Sequence, residues 1–180
     1  LDKMTLPNFM CLGAAKSGTT TLYEILRQHP DIYIPAFKEP HFFDIPENYK
    51  NGIEWYKRNY FRNANKKIIA DFTPSYFFEK EAPKRIFKNL GRDMKFLVVF
   101  RNPVDRAYSH YLHSKRDDHE SENFEKSLEL EVSRLKKHEN QSDYLSYLRH
   151  SYVHQGLYAQ MINRYLQYFS LDNFLFIHFE

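Results

Sequence analysis

Hydrophobic positions along this chain alternate between two periods. Apolar residues run without interruption through Asn8–Leu12, break at Gly13, and return at helical spacing over Thr19–His29. Short continuous runs bounded by turn residues predict buried strands, and 3.6-residue spacing predicts helices. On that basis Ile32–Ile34 is a short strand, followed by an aromatic-rich connection. Lys67–Asp71 is a strand, Lys80–Leu90 a helix, Lys95–Phe100 a strand and Pro103–Lys115 a helix. Phe124 to Phe169 is largely helical in pattern, and "FLFIHF" predicts a last buried strand. Alternation of this kind predicts βαβ units, hence an α/β fold with a parallel β-sheet flanked by helices on both faces. No repeat, low-complexity tract or Pro/Gly/Ser linker interrupts it, so residues 1–180 are expected to form a single domain.

Composition narrows the function classes. Hydrophobic residues make up 42% of the 180 and aromatic residues 17%, enough for a buried core. The 26 Lys+Arg against 23 Asp+Glu leave a formal charge of +3, a mild bias toward an anionic ligand that does not demand nucleic acid. The only cysteine, Cys11, cannot form an internal disulfide, which points to a reducing compartment. No apolar span is long enough for a transmembrane helix, and no leader pattern is present.

The first candidate chemistry lies in "GAAKSGTTTL". Gly13 and Gly18 have the spacing of a Walker phosphate loop, but Thr19 stands where the Walker lysine belongs and Lys16 lies inside the loop. The helix beginning at Thr19 aims free N–H groups and the positive end of its dipole at whatever the loop encloses. Lys16, Ser17, Gly18, Thr19 and Thr20 are therefore candidate anion-binding residues, not obviously for ATP. The second constellation is "FLVVFRNPVDRAYSHY". A strand ends at Arg101, Asn102 can cap, and Pro103 suits a first helical position. Arg106 and Ser109, three residues apart, share a helical face and form a plausible phosphate cradle.

Together these stretches resemble the two nucleotide-binding signatures of sulfotransferases that use 3′-phosphoadenosine 5′-phosphosulfate (PAPS). The first resembles the loop around the 5′-phosphosulfate, the second the 3′-phosphate site with Arg101 and Ser109 at the matching positions. "KEPHFFD", "NGIEWYKRNYF" and "ADFTPSYFF" are similar to the glycan, heparan sulfate-type branch. The resemblance implies a P-loop-like nucleotide-binding fold, a PAPS donor, no metal, and an acceptor that is a small molecule or glycan, with no nucleic acid partner. It also accounts for the displaced lysine, because a sulfuryl donor needs no Walker lysine or magnesium on a γ-phosphate.

Sulfuryl transfer needs an in-line acceptor, a group to take its proton, and positive charge at the leaving phosphate. Lys16 can supply the charge. Glu39 is the candidate base and is also where the resemblance places the catalytic glutamate of glycan sulfotransferases. Pro40 behind it predicts extended geometry at Glu39. His41 is the second candidate, since small-molecule sulfotransferases use a histidine. Phe72 precedes Thr73–Pro74 where heparan 3-O-sulfotransferases carry a lysine, so acceptor identity is not inherited. The relatives' disulfide and later basic loop are not present before Glu180. The expectation is a cytoplasmic member lacking its C-terminal nucleotide-covering segment, or a Golgi-lumenal one if the chain belongs to a longer membrane-anchored protein. The alternatives are a P-loop nucleotide kinase and a non-catalytic nucleotide- or nucleic-acid-binding module. His110 and His113, with no cysteine nearby, are expected on the helix surface and not as metal ligands. The aromatic segments Trp55–Phe61 and Tyr144–Phe169 are expected in the core. "KSLELEVSRLKKHE" is expected to be a solvated helix face.

Overall fold

A computed structural model describes residues 5–180. The chain divides into two compact units, one formed by the chain up to Phe100 together with Gln160–Glu180, the other by Arg101–Ala159.

The first unit is built on five parallel strands, β1 (Phe9–Gly13), β2 (Ile32–Tyr33), β3 (Ile68–Phe72), β4 (Lys95–Phe100) and β5 (Phe174–His178), in the order β2-β3-β1-β4-β5. Side chains alternate between the two faces, as a two-residue period requires. Cys11, Ala70, Phe72, Leu97 and Val99 form one buried cluster, covered by Tyr23, Leu22 and Leu26 of α1 (Thr19–Leu26). On the other face Phe96 meets Tyr165 and Phe169 edge-on, with ring centroids 5.6 and 4.8 Å apart. Tyr165 ends α8 (Tyr158–Tyr165), whose residues from Gln160 onward belong to this unit.

Chain order reverses across β1, which lies between β3 and β4. In open α/β sheets ligands bind beyond the strands' carboxyl ends at such a point. β1 leaves the sheet there through an irregularity, with Cys11 opposite Leu97 but Gly13 opposite Val98.

Several boundaries differ from the pattern-based expectation. α1 stops at Leu26 because the next turns tighten, with Gln28 and His29 N–H bonded three residues back to Ile25 and Leu26. The aromatic connection folds into two short helices, α2 (Pro46–Lys50) and α3 (Ile53–Tyr60). α4 (Ala82–Leu90) follows after the 3-10 turn Pro74–Phe77. β5, expected to be buried, is the sheet's edge strand among the described residues, and Leu175 is 60% exposed.

In the second unit α5 (Pro103–Arg116) starts as its residues predict, with the Asn102 side chain accepting from Val104 N–H at 2.9 Å. α6 (Phe124–Gln141) and α7 (Tyr144–Arg149) follow, and Ala107, Tyr111 and Tyr152 form the core. α6 is not merely a solvated face. Glu131 is buried and accepts from the N–H groups of Val153 and His154 at 2.8 and 3.0 Å, which explains how a carboxylate is tolerated there. His110, expected on the surface, is buried edge-on against Tyr152. Among the described residues no helix is long and apolar enough to cross a membrane.

The first unit's aromatic core carries one polar device. Asp71 of β3 is fully buried and accepts from Tyr56 Oη (2.6 Å), Thr73 Oγ1 (2.6 Å) and Tyr76 Oη (3.1 Å). Tyr76 Oη in turn accepts the Phe42 backbone N–H at 2.9 Å, and the Phe42 ring stacks on Tyr56 with centroids 4.5 Å apart. Tyr76→Phe strands the Phe42 N–H and removes one donor from Asp71. We expect a cost of ~1–3 kcal/mol, read as a lower urea midpoint at unchanged m-value.

Candidate active site

The loop between β1 and α1 has the form of an anion cradle. Gly18 caps α1 in the left-handed region (φ 76°), where a side chain would be strained, and gives the helix no side-chain cap. No acidic residue stands in the first turn, so the helix's free N–H groups and dipole are not neutralised there. Ser17 is fully buried, and its Oγ has no hydrogen-bond partner among the described residues. A buried hydroxyl in this position fits a ligand the chain itself does not supply. A Cβ built on Gly18 would meet the ring of Phe179 at 2.6 Å, so a side chain there would have to displace that ring.

A second segment lies against this helix terminus. Lys38 Nζ donates to Thr20 Oγ1, on the second residue of α1, at 3.0 Å and to Glu39 Oε1 at 2.9 Å. The other carboxylate oxygen, Oε2, lies 3.3 Å from His41 Nε2, while His41 Nδ1 donates to Asp44 Oδ2 at 2.7 Å. Ser75 Oγ also donates to Asp44 Oδ2. Four charges thus alternate along one chain of contacts: Lys38, Glu39, His41, Asp44. Burial disfavours the Glu39 carboxylate, but the hydrogen bond from His41 and the charge of Lys38 outweigh it and lower its pKa to about 2. Burial likewise opposes charge on His41, and Asp44 and Glu39 overcome it, raising its pKa to about 10.

The backbone marks the same residues. Lys16 (φ 68°), Glu39 (φ 61°) and His41 (φ 50°) all lie in the left-handed region that non-glycine residues avoid. Such strain persists only where surrounding contacts over-determine it, and it concentrates at functional sites. The extended geometry expected of Glu39 from Pro40 is therefore overturned. Clamping of both carboxylate oxygens, with the Phe42 N–H held by Tyr76, outweighs the local steric preference.

The structure brings Ser17, Gly18, Thr19, Thr20, Glu39 and His41 together in the first unit, with Lys16 in the same loop. Three residues of this cluster were not among the predicted site residues: Lys38, which pairs with Glu39 as a simple neighbouring cation would, Asp44 and Ser75. Their signal was present in "KEPHFFD" and "TPSYFF", but only tertiary contacts give it meaning. Arg101 and Ser109 lie in the second unit, both partly exposed, with the Arg101 carbonyl accepting from Tyr158 Oη at 2.9 Å. Arg106 does not share Ser109's setting. It is fully buried, donates to the Tyr152 carbonyl, and burial lowers its pKa to about 10. A guanidinium removed from water needs a fixed acceptor, and here a backbone carbonyl provides it. Cys11 lies in β1, where burial pushes its thiol up to about 12 and makes it no nucleophile. Among the described residues no group of three or more His, Cys, Asp or Glu is placed to hold a metal ion.

The charge chain has a definite pH signature. His41 is raised above its ordinary 6.5, so its contribution to stability is complete below 6.5 and lost as pH rises through about 10. Glu39 is lowered from 4.5, so its contribution is complete above 4.5 and lost as pH falls through about 2. In urea unfolding across pH, the stability advantage of the parent protein over His41→Gln should shrink between pH 6.5 and 10. An advantage independent of pH over that range would show that His41 is not held as an imidazolium.

Known proteins are similar to this chain in sequence and fold. The human heparan sulfate glucosamine 3-O-sulfotransferase 6 is 37% identical, over 97% of this chain and 47% of its own length. The mouse heparan sulfate glucosamine 3-O-sulfotransferase 3B1 is 39% identical, over 97% of this chain and 42% of its own. The chain thus spans about half the length of the curated relatives it matches. The crystal structure of a sulfotransferase from Alicyclobacillus acidocaldarius superposes with a TM-score of 0.85 at 34% identity, covering 97% of this chain and 74% of that one. The sulfotransferase domain from the curacin biosynthetic pathway, 15% identical with a TM-score of 0.57, shares the fold. The sulfotransferase domain model matches residues 6–180, and this chain, with its P-loop-like α/β architecture, belongs to the sulfotransferase-domain family.

Proposed function

We propose that this chain transfers a sulfuryl group from PAPS to a hydroxyl or amine of a carbohydrate acceptor. The observation that carries the reading is the meeting, at the N-terminus of α1, of an uncapped helix end, an unpartnered buried Ser17 hydroxyl and a strained Glu39. An anion cradle and an acid–base group side by side are what transfer between an anionic donor and a neutral nucleophile requires.

In this reading the loop N–H groups, Ser17, Thr19 and Thr20 hold the 5′-phosphosulfate. Lys16 balances the charge that develops on the leaving phosphate. Arg101 and Ser109 bind the 3′-phosphate. Glu39 takes the acceptor's proton as the acceptor atom bonds to sulfur. The sulfur–oxygen bond to the phosphate then breaks, and its electron pair stays with the phosphate oxygen. His41, fixed by Asp44, orients the carboxylate.

The relatives named for heparan sulfate glucosamine support a carbohydrate acceptor. Phe72, at the position where those enzymes carry lysine, packs into the core against Tyr23 and Phe9, so no acceptor contact arises there. The buried single thiol accords with a cytoplasmic setting.

A titration with three adenine nucleotides tests the reading. The protein should bind 3′,5′-adenosine bisphosphate and discriminate against adenosine monophosphate, and Arg101→Ala should erase most of that difference, because a charge-assisted phosphate contact is lost. Magnesium-dependent binding of ATP in preference to the bisphosphate would favour a kinase instead. Glu39→Gln keeps the shape and removes the proton acceptor. Turnover should fall ~10²–10⁴-fold with donor affinity near the parent value, and His41→Ala should lose less. If His41→Ala abolishes turnover while Glu39→Gln is nearly silent, the base is His41.

A further inference from the structure

As found, Glu39 is a poor base. Both of its oxygens are engaged, and the two cations holding it keep the carboxyl at about 2. The two cations differ in one respect. His41 is itself paired with the buried Asp44, so that couple is close to neutral as a unit. Among the described residues Lys38 has no second carboxylate partner; its remaining partner is the Thr20 hydroxyl. Lys38 therefore adds its charge and hydrogen bond to the hold of His41 on Glu39, and of the two cations it is the one not tied to another carboxylate.

Lys38 is also placed to leave. Its side chain is 19% exposed, so it is fixed but not buried, and it hangs on a flexible four-carbon stem. Its ammonium stands at the first turn of α1, beside the proposed anion cradle. An ammonium carries three donors, and the Glu39 and Thr20 contacts use two. An anionic group arriving at this helix end competes with Glu39 for the same cation.

We propose that Lys38 couples donor binding to base activation, moving from Glu39 to the oxygens of the transferring sulfuryl group when PAPS binds and so freeing the carboxylate to accept the acceptor's proton. The inference rests on the sulfotransferase reading above. It gives one lysine two effects. At the sulfuryl oxygens it stabilises negative charge during transfer, and its departure frees one carboxylate oxygen and removes one of the two cations that suppress the basicity of Glu39 when the donor is in place. Without donor the base stays masked. A plain surface ion pair would instead have no connection to the donor and contribute little.

The test compares binding of PAPS with that of 3′,5′-adenosine bisphosphate, which lacks the sulfuryl group, in the parent, Lys38→Met and Lys38→Arg proteins by calorimetry without acceptor. Lys38→Met should bind the bisphosphate within ~2-fold of the parent, which also reports an intact fold, and bind PAPS ~10-fold or more weakly, as expected for loss of one charge-assisted contact. Lys38→Arg should restore most of the PAPS affinity. Equal weakening of both nucleotides, or of neither, overturns the role of Lys38 while leaving the sulfotransferase reading in place. Failure of the parent protein to bind either nucleotide overturns that reading, and the inference with it.

Discussion

A single buried carboxylate organises the first unit. Asp71 sits at the carboxyl end of β3, where burial raises its pKa to about 6 even though three hydroxyl donors oppose the shift. A carboxylate in so apolar a setting is tolerated because every donor is supplied by a residue the fold brings to it. Those donors come from α3, from β3's own continuation and from the 3-10 turn after it. Through Tyr76 the network reaches the backbone of Phe42, the residue following His41. The polar centre of the core and the backbone of the candidate site are thus one connected structure.

That connection explains how the strained geometry around Pro40 is held. Glu39 and His41 occupy conformations unfavourable for residues with a Cβ, and the local contacts of Glu39 with Lys38 and His41 are backed by distant ones. The segment is pinned at three points: Lys38 to the first turn of α1, Phe42 to Tyr76, and Asp44 to Ser75. Phe42 and Phe43 fill the space between with rings packed on Tyr56 and Tyr76. The aromatic density of this stretch serves as the rigid backing for a short polar segment, and acceptor stacking is not needed to explain it.

The second unit solves a similar problem differently. Its buried charged groups find acceptors or donors: Glu131 in backbone N–H groups, Glu120 in Arg134 and Tyr152, and Arg106 in a carbonyl on one nitrogen, its Nε having no hydrogen-bond partner among the described residues. These residues would all read as surface positions from their chemistry alone. Arg101 and Ser109, on the same unit, are partly exposed.

Much of the fold was legible in the sequence, because it is set by local period and punctuation. The runs around Met10, Ile69 and Val98 are too apolar to be anything but sheet interior, and Gly18, Asn102 and Pro103 mark helix starts through their own backbone chemistry. The β1–α1 loop was legible for the same reason: glycine spacing and a helix terminus are local properties. What the sequence could not decide was which distant hydroxyls anchor the charged residues. Lys38 pairs with Thr20, eighteen residues earlier, and Asp44 with Ser75, thirty-one later. The left-handed backbone at Glu39 contradicts the preference its proline neighbour imposes. Arg106 and Glu131 are buried where their side chains alone predict solvent. Each of these outcomes depends on a partner distant in sequence, and electrostatic and hydrogen-bond energies are fixed by distance and burial in space. Local pattern sets the elements and the loop; only the packed structure sets the protonation and pairing of the residues within it.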